Sequence, residues 1–288
     1  MRRTWRSFEG AGDAGRDEFG TDRRSYRMAT YRPRSQVRQV MAHGAGRNMA
    51  GNGREPVKTG EEWAVVSSGA GYASVQRSLL GLLREIKGSG EPLVPACPGW
   101  NVRDAVLHLL VICRDVEARL DPGPAARSGL TVDGLRELGM SSLLDEWERG
   151  GGVVESALTR PEHSHKGAVL VMDAFTHELD IRLALGAGPP VDHPAFRGAF
   201  EVAVGGLSGS VMARGLPPFL LETDGGSWIA GVGEPVAVAR GSRMELYRSI
   251  TGRRTYEQIR QVNWSAEPGP WLPAFSWGPF RPPGKPVE

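Results

Sequence analysis

Four stretches of apolar residues at helical spacing occupy residues 61–188, each closed by Gly or Pro, and they restrict the chain more than any other feature. In the first, Trp63, Val66, Tyr72, Val75, Leu79, Leu82, Leu83 and Ile86 recur, and Gly88-Ser89-Gly90 ends it. The turn-rich run Pro95-Ala96-Cys97-Pro98-Gly99-Trp100 leads into the second. Asn101 is a good N-cap there, and Asp104 sets charge at the positive end of the helix dipole. Asp121-Pro122-Gly123-Pro124 stops this helix after about Leu120. The third stretch, 141–159, carries Leu143, Leu144, Trp147, Val154 and Leu158, and Gly150-Gly151-Gly152 predicts a kink or a break within it. The fourth runs over 167–185, with Gly186 as its left-handed cap. Helices of this kind joined by polar connections predict a four-helix bundle.

After Gly188-Pro189-Pro190 the pattern changes. A helix is expected over 195–214, then a hairpin in which Phe219–Thr223 and Ser227-Trp228-Ile229-Ala230 flank Asp224-Gly225-Gly226. A strand over 235–239 precedes Ser242-Arg243-Met244-Glu245, which reads as a capping box opening a helix to about Val262. The tail from Trp264, rich in Pro, Trp and Phe, is expected to wrap over a surface. The chain thus reads as an α+β protein of two domains. A basic arm fills 1–60, the bundle 61–188, and a smaller α+β domain with its tail 189–288.

The arm holds twelve Arg and one Lys against six acids, a net of +7, while the whole chain is +2. Arginines neutralise phosphates, and Trp5, Phe8, Phe19, Tyr26 and Tyr31 could stack on bases. Yet the arm mixes acids with Gly and keeps no period of 2 or 3.6 residues, so it reads as disordered, and nucleic acid is not the expected partner. Internal Met28, Met41 and Met49 also allow a later start. No run approaches the ~20 apolar residues that span a bilayer, and no signal peptide precedes the helices. Two cysteines suggest no disulfide framework, which fits a reducing cytoplasm.

Chemistry gathers on the second and fourth helices. Asp173 and His177 stand four residues apart, so they project from one face a turn apart. His108 lies among Ala105, Leu109, Ile112 and Val116, a stripe that a bundle turns inward. Two imidazoles and a carboxylate could therefore meet, leaving a coordination position open as in catalytic rather than structural zinc sites. The same donors suit Fe(II). Taken singly, each has a plainer explanation: a satisfied core histidine, or a solvated Asp-x-x-x-His pair. Asp173, however, shares its ridge with Val169, Leu170, Ile181 and Ala184, and a buried carboxylate needs a partner. Asp180, a further turn along, is either a carboxylate that orients a ligating imidazole or a helix-end cap.

Other polar residues carry less. Glu178 lies off the ridge and reads as solvated or paired with an Arg; His163 and His165 read as surface residues, either available as a fourth ligand; His43 and His193 point to nothing. Cys97, near a helix N-terminus, is a candidate nucleophile, but no His stands at a telling spacing, so packing is its expected role. Trp100 is expected to anchor its turn on the bundle. Arg248, Arg253 and Arg254 could bind a carboxylate of substrate or thiol, though any one of them reads more simply as part of a solvated face.

The run Val94-Pro95-Ala96-Cys97-Pro98-Gly99-Trp100-Asn101-Val102-Arg103-Asp104, followed by His108, resembles the opening motif of the mycothiol-dependent maleylpyruvate isomerase family. Asp173-Ala174-Phe175-Thr176-His177-Glu178-Leu179-Asp180, closing with Ala184-Leu185-Gly186, resembles that family's metal-binding helix, and Tyr247-Arg248-Ser249-Ile250-Thr251-Gly252-Arg253-Arg254 its C-terminal domain. The resemblance covers roughly residues 61–280. It implies a DinB-like four-helix bundle, zinc on His108, Asp173 and His177, and mycothiol as thiol cosubstrate in an isomerase or S-transferase acting on a small electrophile. It also implies an arginine reaching the active site from the C-terminal domain, for which Arg248 and Arg253 are candidates; Asp180 is the third candidate catalytic residue. The family's characterised isomerase has Glu where Asp173 stands; the shorter Asp calls for a closer fourth helix or a changed metal geometry. The competing expectation is a metal-binding module without catalysis, with a sensing or partner-binding role, marked by a fourth protein ligand closing the site.

Overall fold

The computed structural model describes residues 67–88, 90–120, 132–160 and 163–287, except the side chains of 120, 164 and 165. The basic arm, His43, Trp63, Val66 and the Asp121-Pro122-Gly123-Pro124 stop lie outside the described residues. Among those described, eight α-helices and one four-stranded sheet make an α+β protein rich in helix.

Helix α1 spans Ser68–Glu85, capped by the Ser67 hydroxyl, which accepts from Ala70 N at 3.2 Å. Helix α2 spans Val102–Leu120. At its start Asn101 and Asp104 cap reciprocally: Asp104 N donates to Asn101 Oδ1 at 2.9 Å and Asn101 N to Asp104 Oδ2 at 3.0 Å. A short α3, Val132–Arg136, which no periodicity announces, precedes α4, Met140–Thr159. Helix α5 spans Ser164–Ala184 and stops at Gly186. The four long helices pack in a ring: α1 on α4 and α5, and α2 on the same two.

The expected break in the third helix is absent, for α4 runs unbroken through Gly150-Gly151-Gly152. Close approach explains two of these glycines. A Cβ on Gly151 would stand 1.9 Å from Gln76 Oε1, and one on Gly150 2.8 Å from Glu117 Oε1. Gln76 cannot step aside, because its Nε2 donates to Trp147 O at 2.6 Å in the core. Gly151→Ala is therefore expected to destabilise the protein by about 1–3 kcal/mol despite the better helix former. Gly152→Ala, where a Cβ meets nothing within 4 Å, should stabilise it slightly; thermal melting of the pair checks both signs.

Helix α6, Phe196–Ala213, packs on α5 and leads to the sheet. Strands β1 (Phe219–Thr223), β2 (Gly226–Ala230), β3 (Ala237–Arg240) and β4 (Asn263–Trp264) lie in the order β2-β1-β3-β4. The hairpin forms as expected, with Leu221 opposite Trp228, while β1 and β3 run parallel and β4 returns antiparallel to β3. The single helix expected from 243 to 262 is instead two, α7 (Arg243–Ile250) and α8 (Tyr256–Arg260). Gly252, at φ 71°, turns the chain between them, and Thr255 with Gln258 forms a new capping box. Ser242 caps α7 through Glu245 N, but the Glu245 carboxylate turns to Arg254 at 2.8 Å instead of completing a box. The tail does more than wrap a surface. Trp271, Leu272, Ala274 and Phe275 enter an apolar core that is continuous from α1 to this last segment. Among the described residues, no helix is long and apolar enough to cross a membrane.

Candidate metal centre

The connection from α1 to α2 is a compact knot. Leu93 and Asn101 bridge, Val94 N donates to Trp100 O at 2.8 Å, and Trp100 N to Cys97 O at 2.9 Å. The knot sets the Trp100 ring 5.3 Å from His108 on α2 and 5.9 Å from His177 on α5, and the two imidazoles stand 4.9 Å apart. Trp100 therefore does more than anchor its turn: it walls the space between the two histidines.

His108 Nε2 lies 3.4 Å from Asp173 Oδ2, and His177 Nε2 lies 3.8 Å from Asp173 Oδ1. One donor atom from each of the three residues falls within 4.8 Å of the others. His108 Nε2 and Asp173 Oδ2 are buried without a hydrogen-bond partner, and each such orphan costs about 1–3 kcal/mol. A cation between them removes that cost. Tetrahedral ligands about 2.1 Å from zinc stand about 3.4 Å apart, the spacing of the His108–Asp173 pair; His177, at 3.8 Å from the other carboxylate oxygen, would have to close in slightly. The one-methylene-shorter Asp173 thus reaches the cluster from α5.

Charge points the same way. Burial works against an imidazolium at His177, but Asp180, Cys97 and Asp173 together hold its pKa up at about 10. Burial likewise works against ionised Asp173, yet the rings of His108 and His177 keep its carboxyl below the usual range. The carboxylates that favour positive charge on His177 would favour a metal cation at the same ring, which has to displace a proton to bind.

Behind His177 stands fully buried Asp180. Its Oδ2 lies 3.5 Å from His177 Nδ1 and accepts from Arg253 Nη2 at 2.7 Å; its Oδ1 accepts from Arg253 Nε at 3.3 Å and lies 3.7 Å from Arg248 Nη1. Burial opposes ionisation of Asp180, but Arg253 and then His177 hold its carboxyl far below the usual range. Asp180 is thus no helix-end cap. It faces the His177 ring, the position of a carboxylate that would fix the tautomer and direction of a ligating imidazole.

Several sequence expectations need correction. Arg248, Arg253 and Arg254 do not form a solvated face; all three are buried, the first two around Asp180 and the third on Glu245. Of the two readings of Glu178, solvated or paired with an Arg, the second holds: it is fully buried, held by Arg182 at 2.9 Å and Ser78 at 2.6 Å. His193, which the sequence left without meaning, faces Glu178 at 3.2 Å. Burial pushes His193 down to about 4, and Ala195 N donates to its Nδ1, so the neutral ring carries its proton on Nε2. Cys97 does have a histidine beside it, eighty positions away in sequence: its Sγ lies 3.9 Å from both His177 Nδ1 and Asp180 Oδ2. Cys97, His177 and Asp180 form a second possible ligand trio. The guanidinium on Asp180 already balances its charge, so the His108 trio is the better cation site. His163 sits at the N-cap of α5 and joins neither trio, and the His165 side chain lies outside the described residues.

No protein-family profile, curated protein or solved structure matches the chain.

Proposed function

We propose that the chain is a metal-dependent enzyme, with zinc the expected ion, that uses a low-molecular-weight thiol such as mycothiol on a small electrophilic substrate as an isomerase or S-transferase. The observation that carries this reading is the pair of buried, unpartnered atoms His108 Nε2 and Asp173 Oδ2 converging beside His177. The resemblance to the mycothiol-dependent maleylpyruvate isomerase family supports the thiol and the reaction class. With it goes a cytoplasmic, two-domain protein: α1, α2, α4 and α5 as a DinB-like bundle over 61–188, and the α+β remainder over 189–288.

A bound zinc ion would supply Lewis acidity, favouring thiolate over thiol at neutral pH. The chain's own residues do the rest. Asp173 brings the negative charge. Its side chain is 26 % exposed and that of His108 19 %, against 10 % for His177, so the accessible side lies at the mouth between α2 and α5. Trp100 lies against both rings and covers part of each. Asp180 fixes His177 with Nδ1 toward the carboxylate and Nε2 toward Asp173, and Arg253 keeps Asp180 ionised.

The purified full-length protein is expected to carry one zinc per chain by elemental analysis. So loaded, it should consume mycothiol in the presence of an activated cis alkene or another electrophile, read as loss of free thiol. Failure to take up any divalent ion would sink the metal centre. Stoichiometric zinc with no thiol turnover on any electrophile would instead leave a sensing or partner-binding module.

A further inference from the structure

The chain after the 3₁₀ turn Leu272–Phe275 folds over the turn between α7 and α8. Trp277 and Phe280 pair backbone to backbone, Phe280 N donating to Trp277 O at 2.8 Å and Trp277 N to Phe280 O at 3.2 Å. Trp277 Nε1 donates to Ile250 O at 2.9 Å. At Gly252 a Cβ would stand 2.9 Å from the backbone N and O of Arg281, so the segment crosses directly on that glycine. The next residue is Arg253. Its guanidinium carbon lies 5.6 Å from the Phe280 ring centroid, within cation–π range, while its nitrogens grip Asp180 and Thr251 O. Arg253 is thus held between an aromatic face on one side and a carboxylate on the other.

We propose that Phe280 is a positioning residue for the metal centre: by holding Arg253 against Asp180 it fixes the carboxylate that orients His177. The inference rests on the metal-centre reading above. Arg253 approaches Asp180 through both Nε and Nη2, a fork that works only while the guanidinium plane keeps its tilt. Without the ring the plane is held by Thr251 O and Asp180 alone and can tilt, so the fork on Asp180 loosens and its Oδ2 is no longer set 3.5 Å from His177 Nδ1. The segment that bears Phe280 touches no ligand, yet its effect is read at the ion.

The test uses the full chain with Co²⁺, whose ligand-field spectrum reports coordination geometry. Phe280→Leu keeps apolar bulk and removes the ring face; it is expected to bind Co²⁺ about 10-fold more weakly, the low end of the loss for an outer-shell partner, with displaced bands. Phe280→Tyr keeps the ring and should retain wild-type affinity and spectrum. In metal-free protein, the nitrogen-15 signals of the His177 ring should move in the Leu variant and not in the Tyr variant. Wild-type affinity and spectrum in Phe280→Leu would overturn the inference, as would equal losses in both variants. A wild-type protein that takes up no Co²⁺ overturns the metal-centre reading separately, and the His177 signals then still decide whether Phe280 sets that ring.

Discussion

Replacing His177 by Ala is expected to strip the protein of bound zinc and leave the fold standing. Two donors, His108 and Asp173, would remain, on different helices and with no third ligand to close the site. Loss of an outer-shell partner weakens a metal by about 10–100-fold, so loss of a direct ligand should exceed the upper figure. The helix need not suffer. Asp180 keeps Arg253 at 2.7 Å when its histidine neighbour is gone, so no buried charge is stranded. Elemental analysis after dialysis, alongside thermal melting, separates the two effects: zinc near zero with a melting point close to that of metal-free wild type is the expected result. Full zinc occupancy in this variant would remove His177 from the ligand set.

Arg253→Met should do the opposite, costing stability first. The substitution keeps volume and removes the guanidinium from a fully buried carboxylate, leaving only the longer contacts to His177 at 3.5 Å and Arg248 at 3.7 Å. Breaking one side of a buried pair costs about 3–5 kcal/mol, because the remaining charge is stranded. Adding Asp180→Asn should recover most of that loss, and the double-mutant cycle measures the coupling directly. Additive losses would show that the pair does not act as a unit. The pH dependence has a definite sign. Asp180 has its pKa depressed in the fold, so its contribution is fully present above the unfolded value of about 3.9 and is lost as pH falls through the lower folded value. Asp180→Asn should therefore flatten the acid limb of the stability profile.

The residues that helical phase could place were the ones the sequence revealed. Asp173 and His177 share a helix and a spacing, and His108 sits in an apolar stripe, so their convergence followed from two helices facing each other. What escaped was set by contacts between distant segments. Arg253 reads as part of a basic run until Asp180, seventy-three positions earlier, is seen beneath it. Cys97 gains a histidine neighbour only through the knot between α1 and α2. The triple glycine of α4 looked like a hinge because propensity alone cannot show Gln76 occupying the space a side chain would need. Gly252 broke an expected helix for the converse reason: the crossing at Arg281 leaves no room for a side chain, and one glycine outweighed a favourable pattern.

Helix α5 is buried on every side from Leu170 to Ile181 apart from Asp173. Successive residues serve different neighbours: Thr176 meets Tyr247 at 2.8 Å, His177 faces the histidine cluster, and Glu178 holds Ser78 and Arg182. Such a helix has no silent positions. A sequence drifting over generations can spend its changes on the outer faces of α4 or on the β2 hairpin, but each change in these three turns must be answered at once by a partner on another element. The segment is an evolutionary bottleneck. Relatives that diverge nearly everywhere else should still be traceable through it, and when it does vary, Arg182, Tyr247 or Arg253 should vary with it.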